Sequence, residues 1–207
     1  MIAKRIGIYG GTFDPIHNGH LRVIVELLSR KVVDEIILIP AGMPRLRAAA
    51  PQADGKTRLE MCKLAVGDLP SGIKERVSVS DIEINRAGET YAIDTVEALG
   101  NDAQELYWII GSDAYANIDN WHRADELKER VSFIVIDRPG SESAENPESG
   151  VNPIKRLDIE ALDISATEIR SQLNAKEQAT SQSERENLGV SPSVRKFIAE
   201  RKLYAGK

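Results

Sequence analysis

The sequence predicts an α/β fold, a doubly wound parallel sheet with helices on both faces. Three observations predict it. Short, nearly continuous apolar runs at residues 6–9, 35–40, 106–110 and 131–136 suit strands covered on both sides. Between the first two, Leu21, Ile24, Val25 and Leu28 repeat with helical period. Strand, helix and strand within about 35 residues make a βαβ unit, whose crossover is right-handed. In such sheets ligands bind at the carboxyl ends of the strands, so the turns that follow those runs are where chemistry is expected.

The first turn reads Gly10-Gly11-Thr12-Phe13-Asp14-Pro15-Ile16-His17-Asn18-Gly19-His20. Glycines let backbone approach a ligand closely. The first N–H groups of the following helix lack partners inside it and attract anions. Imidazoles at the same place donate to phosphate oxygens. The physical reading is a phosphate cradle. A zinc reading is poor: His17 and His20 share a face, but only His122 and Cys62 remain as soft ligands, without the paired spacing of zinc sites.

The 207 residues fit one domain, with the part from about 163 to 207 expected as a small helical subdomain. The formal net charge of −5 argues against general nucleic-acid binding. A single cysteine allows no internal disulfide and suits a reducing cytoplasm. No apolar run reaches the length of a membrane span, so no membrane partner is expected. A homo-oligomer is compatible with the sequence and not signalled by it.

The remaining elements follow in order. The loop 41–47 closes the second strand and carries Arg45 and Arg47 toward the ligand edge. Thr57 and Glu60 have the spacing of a capping box, opening a helix that buries Leu59, Cys62, Ala65 and Val66 and leaves Lys56 and Arg58 as solvated charges. Residues 76–84 alternate with period two and predict one or two strands. Thr90-Tyr91-Ala92-Ile93-Asp94-Thr95 opens a helix running to Leu99. The strand at 106–110 ends in Gly111-Ser112-Asp113, and a carboxylate there suits ribose hydroxyls or a helix cap. Trp121 is either core or a stacking platform. Residues 131–136 form a strand followed by Arg138-Pro139-Gly140, then an exposed polar loop at 141–152. A short strand is expected at 157–162. Ile164-Ser165-Ala166-Thr167-Glu168-Ile169-Arg170 puts hydroxyls at a helix start and an arginine one turn inside, a second anion-binding helix N-terminus. Residues 174–187 read as a linker, and Val194, Phe197, Ile198 and Leu203 mark a terminal amphipathic helix.

His17-Asn18-Gly19-His20 resembles the (H/T)xGH hallmark of the nucleotidylyltransferase superfamily, and the whole first-turn string resembles its bacterial nicotinate mononucleotide adenylyltransferase branch. The segment around Ser165 and Arg170 is similar to the superfamily's second hallmark, IS(A/S)TxIR, about 145 residues later. The segment 90–95 is similar to a (T/S)YTxDT pattern of the nicotinate branch, with Ala92 in place of a threonine. Pro44-Arg45-Leu46-Arg47 departs from that branch's Pro-Pro-His-Lys, keeping only its basic end.

The resemblance implies a Rossmann-like nucleotidylyltransferase fold and adenylyl transfer from ATP to nicotinate mononucleotide, with Mg²⁺ accompanying ATP and no protein-held metal. It implies catalytic roles for His17, His20 and Arg170. It places ATP against Gly10, Gly11, Thr12, Phe13, Gly111, Asp113, Ile164, Ser165, Thr167 and Arg170. It places the nicotinate nucleotide against Arg47, Thr90, Tyr91, Asp94, Trp121 and Arg138. Alternatives on the same scaffold are nicotinamide mononucleotide or phosphopantetheine as acceptor. An alternative of another class is a catalytically silent nucleotide-binding protein.

Overall fold

A computed structural model describes residues 3–43, 50–100, 104–137, 153–159, 164–176 and 188–205. Among the described residues, six strands form one sheet: β1 Lys4–Gly11, β2 Glu35–Pro40, β3 Val77–Val79, β4 Gln104–Gly111, β5 Ser132–Asp137 and β6 Ile154–Asp158. Their order is β3-β2-β1-β4-β5-β6 and every pairing is parallel. The order reverses between β1 and β4, so a crevice opens at the carboxyl ends of those two strands. The expected doubly wound α/β sheet is the observed one.

Side chains alternate across this sheet. Ile36, Leu38, Tyr107, Ile109, Ile134 and Ile136 face one apolar cluster. Ile6, Ile8, Ile39, Leu106, Trp108, Ile110, Phe133 and Val135 face the other. The first cluster is closed by helices α1 Asn18–Ser29 and α2 Gly55–Gly67, and by α7 Ala166–Lys176 and α8 Pro192–Arg201. The second is closed by α4 Ala92–Leu99 and α6 Ala124–Arg130, with Tyr115 from the short α5 Ser112–Tyr115. A one-turn α3, Ser71–Lys74, leads into β3. Each fully buried aliphatic side chain contributes about 1.5–3 kcal/mol, so the layered core is the main stabilising term. Ile169, Val194, Ile198 and Tyr204 share their cluster with Ile24 and Met61, so the C-terminal helices pack on the same core as α1 and α2.

Several local expectations are corrected. The α2 helix starts a turn earlier than Thr57: Asp54 is its N-cap, and its Oδ1 accepts the Thr57 N–H at 2.7 Å. Thr57 is therefore a first-turn residue and no capping box with Glu60 is needed to open the helix. Leu59 is only half-buried, whereas Arg58, expected in solvent, is 1% exposed. Residues 81–84 turn away from the sheet, because pairing along this segment stops with Val77–Val79 on β2 and Glu83 folds inward. β6 lies at Ile154–Asp158, earlier than expected, where it finds Phe133 to Asp137 of β5 as partners. Arg45, Arg47, Arg138 and the expected loop at 141–152 lie outside the described residues.

Candidate active site

The first turn is shaped by its own ring system. Phe13 has φ 51° and folds its buried ring back over Gly11, where a β-carbon would stand 2.7 Å from it. Only glycine fits at that position. Phe13 also meets His20 edge-on at 4.9 Å, and Tyr9 lies edge-on to Phe13 at 5.7 Å. The Phe13 side chain is thus committed to packing. His17 and His20 lie ring against ring at 3.7 Å.

A backbone bond sets the chemistry of His20. The His17 N–H donates to His20 Nδ1 at 3.2 Å. An amide N–H can only donate, so Nδ1 is the accepting nitrogen and the neutral ring carries its proton on Nε2. His20 is half-exposed, on the turn that follows β1. The Asn18 N–H is already used by the Gly189 carbonyl at 2.7 Å, which ties the start of α1 to the turn before α8.

Asp14 joins the first turn to the rest of the molecule. It is 3% exposed, and its carboxylate accepts from the backbone N–H groups of Gln52 and Ala53, at 2.8 and 3.1 Å, and from the Tyr204 hydroxyl at 2.9 Å. Its backbone carbonyl accepts from Arg170 Nη1 at 2.7 Å, and the guanidinium stands 4.0 Å from its carboxylate. The turn at residues 10–20 and the turn at 164–170 are therefore neighbours on one side of the sheet. Arg170 also bonds the Thr167 hydroxyl at 3.1 Å. Ser165 caps α7: its hydroxyl accepts the Glu168 N–H at 3.1 Å and Glu168 returns a bond to the Ser165 N–H at 3.1 Å. Ile164 packs against Gly189.

At the end of β4, Asp113 is exposed and folds over Gly111, where a β-carbon would lie 2.7 Å from Oδ1. Gly111 is the N-cap of α5, and Asp113 sits in its first turn rather than at the cap. Beneath this edge Trp108 covers Gly10, where a β-carbon would be 3.2 Å from the indole. Half-buried Trp121 meets Trp108 edge-on at 6.2 Å. Tyr91 stacks on His122 at 4.2 Å. The carboxylate of Asp94 lies between Arg123, at 3.7 Å, and Arg86, at 3.9 Å, so its charge is largely met by protein.

Thr90, Tyr91 and Asp94 are carried by a segment anchored through Glu83. That carboxylate is 7% exposed and accepts the hydroxyl of fully buried Thr95 at 3.0 Å. The Gly42 backbone passes so close that a β-carbon there would be 2.2 Å from the Glu83 carbonyl oxygen. Burial pushes the Glu83 carboxyl above its ordinary value of 4.5, against the pull of its hydroxyl and backbone donors. The folded state thus holds this proton more tightly than the unfolded chain. The stability it contributes is complete below that ordinary value and is lost as pH rises through the raised one. Glu83→Gln keeps an acceptor toward Thr95 and removes the charge. It is expected to flatten that part of the stability profile and to melt no lower than the parent at neutral pH. Melting curves from acid to neutral pH check this; an unchanged slope would count against it.

Among the described residues, no group of three or more His, Cys, Asp or Glu is placed to hold a metal ion. No helix among them is long and apolar enough to cross a membrane. Sequence reasoning missed four residues here: Asp14, Arg58, Glu83 and Tyr204. A signal existed for Arg58, which shares a helical face with Met61, Cys62 and Ala65. None existed for Glu83, whose burial depends on a turn.

Comparison with known proteins follows the same lines. The family model described as cytidylyltransferase-like matches residues 8–172, which span both turns. A protein of Shouchella clausii named "Probable nicotinate-nucleotide adenylyltransferase" is 36% identical over 203 residues, covering 97% of each chain. The chain belongs to the cytidylyltransferase-like family. A Corynebacterium glutamicum relative of the same name is 37% identical over 97% of this chain and 88% of its own. In fold, the chain is similar to the Plasmodium falciparum nicotinic acid mononucleotide adenylyltransferase solved with NaAD. The TM-score is 0.78, with 22% identity and 97% of each chain covered.

Proposed function

We propose that the chain transfers the adenylyl group of ATP to nicotinate mononucleotide, giving deamido-NAD and pyrophosphate. The observation that carries this reading is the bond from Arg170 to the Asp14 carbonyl, which brings two anion-binding turns to one edge of the sheet. The curated relatives named for this activity, over nearly full length, support the same substrates.

An oxygen of the nucleotide's phosphate forms the new bond to the α-phosphorus of ATP. The bond from that phosphorus to the bridging oxygen breaks, and its electron pair leaves with pyrophosphate. Such a transfer rests on positioning and charge stabilisation more than on acid–base chemistry. His20 supplies an Nε2–H donor to the oxygens around the α-phosphate, where charge builds. His17 packs against that ring and holds it through its backbone N–H. Arg170, with Thr167, grips the β- and γ-phosphates. Ser165 holds the end of α7 open toward them, and backbone at residues 10–13 and 164 lines the path. Asp113 and Gly111 face the ribose. Thr90, Tyr91, Asp94 and Trp121 form the acceptor side, with Arg47 and Arg138 as further contacts.

The imidazole, guanidinium and amide N–H groups at the two turns suit phosphate oxygens and are not the oxygen ligands that Mg²⁺ takes. Mg²⁺ would accompany ATP as part of the substrate rather than sit in a protein site, and would supply charge neutralisation alongside Arg170. A lone buried cysteine, Cys62, suits a reducing cytoplasm.

The test is pyrophosphate release from ATP with nicotinate mononucleotide, nicotinamide mononucleotide and phosphopantetheine offered in turn. Turnover is expected first with nicotinate mononucleotide; ATP binding without turnover of any acceptor overturns the reading. Arg170→Ala is expected to raise the KM for ATP by about tenfold or more, since a bidentate charged contact to phosphate is lost. An unchanged response to ATP concentration would remove Arg170 from that role.

A further inference from the structure

Arg58 lies in α2, not in either of the two turns, and is 1% exposed. A buried guanidinium ordinarily meets a carboxylate. Here its hydrogen bonds run to backbone carbonyls: Nη1 donates to Thr12 at 2.7 Å, Nη2 to Ala41 at 2.7 Å and Gly42 at 3.2 Å, and Nε to Ala53 at 3.2 Å. Those carbonyls come from three separate segments. Thr12 belongs to the turn after β1, Ala41 and Gly42 to the turn after β2, and Ala53 to the approach to α2.

The place is where the sheet runs out. The β1–β2 ladder ends with Gly11 opposite Pro40, and one more bond follows, from the Ala41 N–H to the Gly11 carbonyl at 2.8 Å. Beyond that point the two chains separate, and the guanidinium spans the gap from Thr12 to Ala41. One side of the gap leads to His17 and His20. The other passes Gly42, whose backbone touches the Glu83 carbonyl and the Thr90 side chain. A planar five-donor fork fits this task, and a point charge does not.

We propose that Arg58 is a positioning residue: by holding the carbonyls of Thr12, Ala41, Gly42 and Ala53 it sets the distance between the ATP side and the acceptor side of the site. The inference rests on the adenylyl-transfer reading. Loss of the brace leaves each half-site able to bind and places the attacking oxygen badly relative to the α-phosphorus. The loss then falls on kcat more than on either KM. A purely structural arginine would lower the melting temperature and leave kcat per folded molecule intact.

The experiment compares the parent chain with Arg58→Lys and Arg58→Gln, each at a temperature well below its melting transition, with turnover expressed per folded molecule. Arg58→Lys retains the charge and is expected to fold. Its kcat is expected to drop by about tenfold or more, with both KM values within about threefold of the parent. Arg58→Gln should lose at least as much. If either folded variant keeps parental kcat, Arg58 does not position the substrates. The same conclusion follows if the loss sits wholly in one KM. Inactivity of the parent on every acceptor overturns the functional reading itself, an outcome distinct from an active parent with fully active variants.

Discussion

Replacing His20 by alanine is expected to lower kcat for adenylyl transfer by about 100-fold or more, close to 3 kcal/mol of transition-state stabilisation. The reason is directional. The His17 N–H occupies Nδ1, so the proton of the neutral ring sits on Nε2, which is its donor nitrogen. Alanine deletes that donor together with the Nδ1 acceptor of the His17 N–H, so the rate is read per folded molecule. The apolar neighbours Phe13 and Tyr9 stay in contact with each other. Steady-state rates, with circular dichroism to verify the fold, check this. A rate within a few-fold of the parent would show that the charge on the α-phosphate is met elsewhere. His20→Gln, which keeps an N–H donor at a similar reach, should recover part of the loss.

The second large effect is on stability. Asp14→Ala is expected to cost about 3–5 kcal/mol, because it leaves two amide donors and a buried hydroxyl without their acceptor and removes the carboxylate that stands 4.0 Å from the Arg170 guanidinium. For a chain of this length that lowers the melting temperature by roughly 10 °C. Thermal and urea unfolding measure it, and a shift under about 2 °C would mean that the network is not cooperative. Tyr204→Phe removes one of the three bonds to the carboxylate and should cost about 1–2 kcal/mol, so the pair of variants separates the hydroxyl's share from the whole.

The parts of this fold legible from sequence are those set by local pattern. β2 falls where the apolar run closed by Pro40 put it, and α1 begins at the predicted glycine-rich turn. The two turns were legible as candidate anion sites because glycines, hydroxyls and cations cluster within a few residues of a strand end or a helix start. Their meeting through Asp14 and Arg170 was not, since it depends on side chains 156 positions apart. Arg58 is illegible for a related reason: a charged residue on a buried face is improbable until carbonyls from two distant turns, and from Ala53 nearby, are known to surround it. The alternation at 76–84 suited a strand equally throughout, but only three of its residues found a partner in β2. Edge pairing is decided by the neighbour, not by the pattern.

The bond between Tyr204 and Asp14 joins residues 190 positions apart. On a ribosome adding about 5–20 residues each second, the first turn therefore waits roughly 10–40 s for the tyrosine that completes its support. A nascent chain halted before that point would carry both histidines and still lack the finished nucleotide cradle, so activity should arise only after translation has passed the terminal helix.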